Sequence, residues 1–251
     1  MIDTHSHLNF KTFSQNYDKV LCRSFDHGIT KIINIGSQLA TSAKAIEIAE
    51  KYKECFVAVG IHPIHAGEVN SGWEKELIKM VKNKKVVAIG ETGLDYYRIR
   101  NKQEKEIQKA IFLEHLKISQ KFNLPLILHC RNAFEDLFNI LKSHSSIQGV
   151  LHCFTGAKKD AKIFLDLGLY LGFTGLVTFV KDLEEAVKFA PLDKILLETD
   201  CPYLAPEPFR GQKCEPWMVR FTAEKVVKIK EICLDKIVEQ TDKNAEKLFC
   251  F

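Results

Sequence analysis

The sequence predicts an α/β fold, a single (β/α)8 TIM barrel spanning residues 1–251. Three observations carry this: eight short strand-like runs that are apolar nearly throughout, a helix-like segment after each, and a length that suits eight such units. An open doubly wound sheet is the alternative, but no glycine-rich GxGxxG turn follows the first strand to favour it.

The chain opens on Met1-Ile2-Asp3-Thr4-His5-Ser6-His7, a short strand in which two histidines stand two positions apart. In extended backbone both side chains leave the same face and can meet one ion. Ser14 to His27 reads as a helix stopped at Gly28, and Lys31 to Gly36 as the second strand. Leu39 to Lys53 is helical in pattern, and Cys55 to Gly60 is the third strand, followed at once by Ile61-His62. Trp73 to Lys82 is a helix, and Val86 to Gly90 the fourth strand, with Glu91 at its end. The longest helical pattern runs from about Gln103 to Phe122, where Ile107, Ile111 and Ile118 share one side with Glu114. Pro125 opens the fifth strand, Leu126-Ile127-Leu128, which ends in His129. Phe134 to Leu141 is helical, and Gly149-Val150-Leu151 is a sixth strand ending in His152. A helix at Asp160 to Leu167, a strand at Tyr170 to Phe173 and a helix at Leu183 to Phe189 lead to the eighth strand, Lys194 to Leu197, which ends in Glu198-Thr199-Asp200. A proline-rich loop from Pro202 to Pro216 and two further helical patterns complete the chain.

Composition excludes several classes. No apolar run is long enough to cross a bilayer, and polar groups from Asp3 onward rule out a signal segment at the start, so a soluble cytoplasmic protein is expected. The eight cysteines form no CxxC pair and read as reduced thiols rather than as disulfides, zinc fingers or iron–sulfur ligands. A net charge of +4 is too small to identify a nucleic-acid binder by itself, and Lys82-Asn83-Lys84-Lys85 reads as a solvated helix end.

Histidine and carboxylate recur at strand ends: His5 and His7, His62, Glu91, His129, His152 and Asp200. In a barrel those ends converge on one mouth. Taken singly each has an ordinary reading, His129 as the polar terminus of a strand and Glu91 as a helix cap. Together they are harder to dismiss, because an ionised carboxylate confined in a mouth is costly unless paired or bound to a cation. Four imidazoles and two carboxylates can hold two divalent ions if one carboxylate bridges them, and nitrogen and oxygen donors without thiolate suit Zn, Mn or a similar ion. Such a pair can clamp a phosphodiester and lower the pKa of a water, so metal-assisted hydrolysis is the expected reaction class. Cys130 and Cys153 each follow a proposed ligand by one position and are expected to point away from it, which argues against a Cys–His nucleophile. Arg131 and Arg210 are candidates for phosphate contact, with surface or ion-pair roles as their alternatives.

Ordered motifs run through the chain: I-D-T-H-S-H-L-N-F at 2–10, G-I-H-P-I-H-A at 60–66, I-G-E-T-G-L-D-Y-Y at 89–97, L-P-L-I-L-H-C-R at 124–131, L-H-C-F-T-G at 151–156 and L-L-E-T-D-C-P-Y-L-A-P at 196–206, then R-G at 210–211. Together they resemble the TatD-type metal-dependent deoxyribonucleases of the amidohydrolase-like barrels, which implies a TIM barrel of the metal-dependent hydrolase type. The resemblance implies a two-metal site in which His5, His7 and Asp200 serve one ion, His129 and His152 the other, and Glu91 bridges. It implies that His62 contacts substrate phosphate and that Glu198 lies near the site, at the phosphate or beside a further ion. Asp200 is expected to take the proton from the attacking water. The implied substrate is DNA, cut by endonuclease or 3′-to-5′ exonuclease action, by a monomer needing two divalent ions (Zn, Mn, Mg or similar) but no membrane and no obligate protein partner. Ile61 and Cys214 depart from residues common in the family without removing a proposed ligand. Two other classes compete: a metal-dependent hydrolase of an amide, ester or lactone, since the same clamp polarises a carbonyl, and a non-catalytic nucleic-acid binder. The second is disfavoured because no aromatic and basic interleaving for strand stacking is present in the sequence.

Overall fold

The computed structural model describes residues 1–144 and 147–251. Eight strands, β1 (Ile2–Ser6), β2 (Lys31–Ile35), β3 (Cys55–Val59), β4 (Val86–Asp95), β5 (Leu126–Arg131), β6 (Gly149–Leu151), β7 (Tyr170–Phe173) and β8 (Ile195–Leu197), form one parallel sheet in sequential order. Between them run α1 (Tyr17–Asp26), α2 (Leu39–Lys51), α3 (Trp73–Val81), α4 (Lys102–Phe122), α5 (Phe134–Lys142), α6 (Lys158–Asp166) and α7 (Glu184–Phe189), with α8 (Val219–Lys230) and α9 (Leu234–Phe249) after the last strand. Among the described residues no helix is long and apolar enough to cross a membrane.

The ring closes between β1 and β8, where a parallel bridge pairs Ser6 with Cys201. Around it the Asp200 N–H donates to the His5 carbonyl and the His7 N–H to the Cys201 carbonyl, each at 2.8 Å. Side chains complete the seam: the Asp3 carboxylate accepts from the Thr199 N–H at 2.9 Å and from its hydroxyl at 2.7 Å. Asp3 is wholly buried, and burial pushes its carboxyl well above the ordinary value against the pull of these bonds.

Two buried clusters follow from the strands' two faces. One fills the space between barrel and helices and includes Phe112, Phe154 and Phe164, while the other occupies the barrel interior with Ile33, Ile35, Ile127, Val150 and Leu196. Ala245, Leu248 and Phe249 of α9 join the interior cluster, so the last helix plugs the end of the barrel opposite the mouth.

Two expectations are corrected. The fourth strand does not stop at Gly90 but runs to Asp95 past a register shift between Ile89 and Thr92, which places Glu91 inside the strand rather than at its end. Glycine punctuates strand patterns, hence the short reading; here Gly93 has φ +134° and a Cβ on it would lie 2.1 Å from the His129 carbonyl oxygen, so the residue lets β4 approach β5. The long helix α4 buries Gln108, Phe112, His115, Leu116, Ile118 and Ser119, whereas Ile107 and Ile111 are only half-buried. Its inward stripe is part polar because those groups are consumed by backbone: Gln108 bonds Asp95, His115 accepts from the Ile61 N–H, and Ser119 donates to the Leu124 carbonyl.

Candidate metal centre

The strand ends carry their side chains into a cavity of about 620 Å³ lined by His7, His62, Glu91, His129, His152 and Asp200, with Phe10, Arg131 and Tyr203 on its walls. His5 lies beneath it, 0 % exposed, its ring stacked on that of His152 at 4.0 Å between centroids. Residues from β1, β4, β5, the end of β6 and the turn after β8 thus meet in one place, as parallel packing around a barrel requires.

Glu91 is the centre of the cluster. Its Oε2 lies 3.6 Å from His5 Nε2 and 3.7 Å from His7 Nε2, while Oε1 lies 2.9 Å from His129 Nδ1 and 2.7 Å from His152 Nε2. Asp200 Oδ1 closes the first group at 3.3 Å from His7 Nε2 and 3.7 Å from His5 Nε2. Asp200 has φ +58°, a left-handed backbone that aspartate visits more readily than most residues, so the chain turns there directly after β8.

Hydrogen bonds identify which ring nitrogens face the cavity as lone pairs. His7 Nδ1 donates to the Ile35 carbonyl at 2.9 Å, so the neutral ring presents Nε2 without a proton. That nitrogen lies 3.2 Å from His5 Nε2. Two imidazole nitrogens and the carboxylates of Glu91 and Asp200 therefore aim at one volume, and the ion-pair partners of both carboxylates among the described residues are all histidines. Such a donor set fits a divalent cation of the Zn or Mn type. Among the described residues the ligand atoms of His5, His7 and Asp200, of His5, Glu91 and His152, and of His62, Asp95 and His129 form three groups compact enough to surround an ion.

His62 differs. Its Nδ1 accepts from the Ile64 N–H at 3.1 Å, so the neutral ring carries its proton on Nε2, 3.3 Å from Glu91 Oε1. It offers the cavity a donor, not a lone pair. Burial pushes its pKa down to about 4, keeping the ring neutral at pH 7.

The cluster's charges are mutually supporting. Burial opposes ionisation of Glu91, but His152 and His62 and the bonds from His129 and His152 hold its carboxyl well below the ordinary range. Burial likewise opposes the charged form of His152, and Glu91 and Glu198 outweigh it to raise that ring well above 6.5. In Asp200 burial is outweighed by the bond to His7 and by the charges of His5, His7 and His152, so the carboxyl is held below its usual value. A cation would take the place of these protons.

The expected six ligand-type residues come together, and His62 and Arg131 stand beside them. Arg131 is exposed and its guanidinium lies 3.6 Å from the Tyr97 ring centroid. Arg210 instead covers the Phe179 ring at 3.5 Å and is not part of the cavity wall. Glu198 lies next to the site, as expected, but is 0 % exposed behind His152, its Oε1 accepting from the Cys153 N–H and lying 3.7 Å from His152 Nδ1. A Cβ on Gly172 would fall 2.5 Å from Glu198 Oε2, so the glycine makes room for a carboxylate on the far side of the imidazole from the cavity. Glu198 is not among the residues that line the cavity. Cys130 and Cys153 also differ, both reaching the cavity wall. Cys153 follows the end of β6 in a left-handed conformation (φ +44°), which breaks the alternation that would have turned it away. Burial, with Asp200 and Glu198, pushes its thiol well above the ordinary value, so no thiolate nucleophile is available there.

A (β/α)8 barrel that gathers imidazoles and carboxylates at its strand ends is the architecture of the metal-dependent hydrolases. The family model "TatD related DNase" matches residues 2–250. The chain belongs to that family. It is 39% identical over 256 residues to the uncharacterized metal-dependent hydrolase YabD of Bacillus subtilis (strain 168), covering 99% of this chain and 98% of the relative. It is 31% identical over 258 residues to the 3′-5′ ssDNA/RNA exonuclease TatD of Salmonella typhimurium, with 99% and 98% covered. The crystal structure of YJJV, a TatD homolog from Escherichia coli K12, superimposes with a TM-score of 0.94 at 29% identity over 100% of this chain and 98% of that one.

Proposed function

We propose that the protein hydrolyses DNA phosphodiester bonds, as an endonuclease, a 3′-to-5′ exonuclease or both, with two divalent ions (Zn, Mn, Mg or similar) held per chain. The observation that carries this reading is the division of Glu91's two oxygens between the His5–His7–Asp200 group and the His129–His152 pair. His5, His7 and Asp200 would hold one ion and His129 and His152 the other, with Glu91 as the carboxylate shared between them. Bound there, two ions would clamp the scissile phosphate and lower the pKa of the attacking water. Asp200, ionised and 16% exposed at the cavity edge, accepts the proton from that water. The His62 Nε2–H and the Arg131 guanidinium receive phosphate oxygens, which both match as donors. Nucleic acid as substrate is supported by the exonuclease activity for which the Salmonella relative is named. Residues 1–251 act as one catalytic domain, a cytoplasmic monomer without an obligate protein partner.

The test is to reconstitute the protein with each ion and offer it end-labelled and circular DNA, single- and double-stranded, beside amide, ester and lactone substrates. Chelator-sensitive cleavage of DNA that Glu91→Ala abolishes is the expected result. Turnover of a carbonyl substrate with DNA left intact, or DNA cleavage untouched by Glu91→Ala, overturns the proposal.

A further inference from the structure

We infer that Asp95 is a positioning residue that locks His129 in the tautomer with its proton on Nε2, so that Nδ1 is free to face the Glu91 side of the centre. This rests on the two-ion reading above. His129 is bonded at both ring nitrogens: Nδ1 lies 2.9 Å from Glu91 Oε1 and 3.3 Å from His152 Nε2, while Nε2 lies 3.0 Å from Asp95 Oδ2. A neutral imidazole has one donor and one lone pair. Each nitrogen thus faces a carboxylate oxygen, from Glu91 or from Asp95. With an ion held between Nδ1 and Glu91, only the Asp95 side would be left for the single proton of the neutral ring, and the lone pair would point where the other proposed ligands converge.

Asp95 is built to hold that orientation. Its own N–H donates to Gln108 Oε1 and its carbonyl accepts from Gln108 Nε2, both at 2.9 Å, so one buried amide on α4 clamps the end of β4. Its Oδ1 accepts from the Tyr97 N–H at 2.9 Å, which leaves Oδ2 for His129. The residue is only 7% exposed. A carboxylate bonded to the outer nitrogen of a ligating histidine fixes the ring and raises its basicity, and loss of such a partner weakens metal affinity about 10–100-fold.

The rival reading is a third ion held by His62, Asp95 and His129, whose ligand atoms are within 4.8 Å of one another. Two bonds oppose it. The Ile64 N–H occupies His62 Nδ1, so His62 Nε2 carries a proton and has no lone pair to give. An ion on His129 Nε2 would also put the remaining proton of a neutral ring on Nδ1, pointing it at the other ligands.

The experiment titrates Zn²⁺ into metal-free wild type, Asp95→Ala and Asp95→Asn, reading stoichiometry and affinity by calorimetry. It adds ¹⁵N chemical shifts of the histidine rings in the Zn²⁺-loaded wild type. Expected are two ions in the wild type, one of them bound about 10–100-fold more weakly by Asp95→Ala and restored to within a few-fold by Asp95→Asn, whose amide oxygen accepts the same N–H. The His129 ring should show its proton on Nε2. Three ions in the wild type with one lost in Asp95→Ala, unchanged affinities in that variant, or a proton on His129 Nδ1 each overturn the inference. Two ions with unchanged affinities would sink Asp95's role and leave the two-ion reading standing, whereas no binding at all would remove both.

Discussion

Replacing His115 should flatten the protein's acid sensitivity by a calculable amount. The ring is fully buried on α4, where Nδ1 donates to the Ile111 carbonyl at 2.8 Å and Nε2 accepts from the Ile61 N–H at 2.9 Å. Both nitrogens are thus used by a neutral imidazole, and a second proton would face an N–H. Burial pushes the pKa down from 6.5 to about 4. Between those values the unfolded chain binds the proton and the folded chain does not. The stabilisation is therefore complete above about 6.5 and is lost as pH falls towards about 4. Integrated from pH 7 to pH 5, one such group costs about 2 kcal/mol. The assay is urea denaturation of wild type and His115→Gln at both pH values with chelator present, so that metal uptake does not contribute. The wild type should lose about 2 kcal/mol more than the variant over that interval. Equal losses would mean that the ring is charged in the folded protein or freely solvated, and the reasoning would fail.

Asp200→Asn should leave the melting temperature near the wild-type value, since the seam bond comes from the backbone N–H, and lower turnover at least ~10²-fold. Near-normal turnover at equal metal content would remove the proton-acceptor role. Arg131→Ala should raise KM for an oligonucleotide about tenfold, the loss of one charged hydrogen bond, with kcat changed far less. An unchanged KM would show that the guanidinium stacked on Tyr97 never reaches the substrate.

The sequence was most legible where chemistry coincides with strand ends. His5, His7, His129, His152 and Asp200 could be found because each ends or follows an apolar run, and a barrel has one place for such ends to go. Asp95 was missed because the strand was read as stopping at Gly90, although in space Gly90 and Gly93 only let β4 lie close against β5. Gln108 and His115 were missed because helical periodicity weighs side chains as apolar or polar, and these are polar groups whose partners are backbone atoms in another segment. Glu198 was set near the site by the resemblance alone, which does not say which way its side chain faces. Only the side-chain packing shows it facing the rear of His152. The pairing of Arg131 with Tyr97, 34 positions away, likewise leaves no trace in local interleaving.

The seam between β1 and β8 has a consequence for how the molecule matures. Two imidazoles of the first proposed ligand group stand at the C-terminal end of β1, yet the carboxylate that would join them follows β8, with every other strand in between. A growing chain can present His5 and His7 long before Asp200 exists to complete their set. On the proposed function, full-strength capture of that ion would therefore be deferred until the circle is shut, and a half-made protein would lack a finished centre.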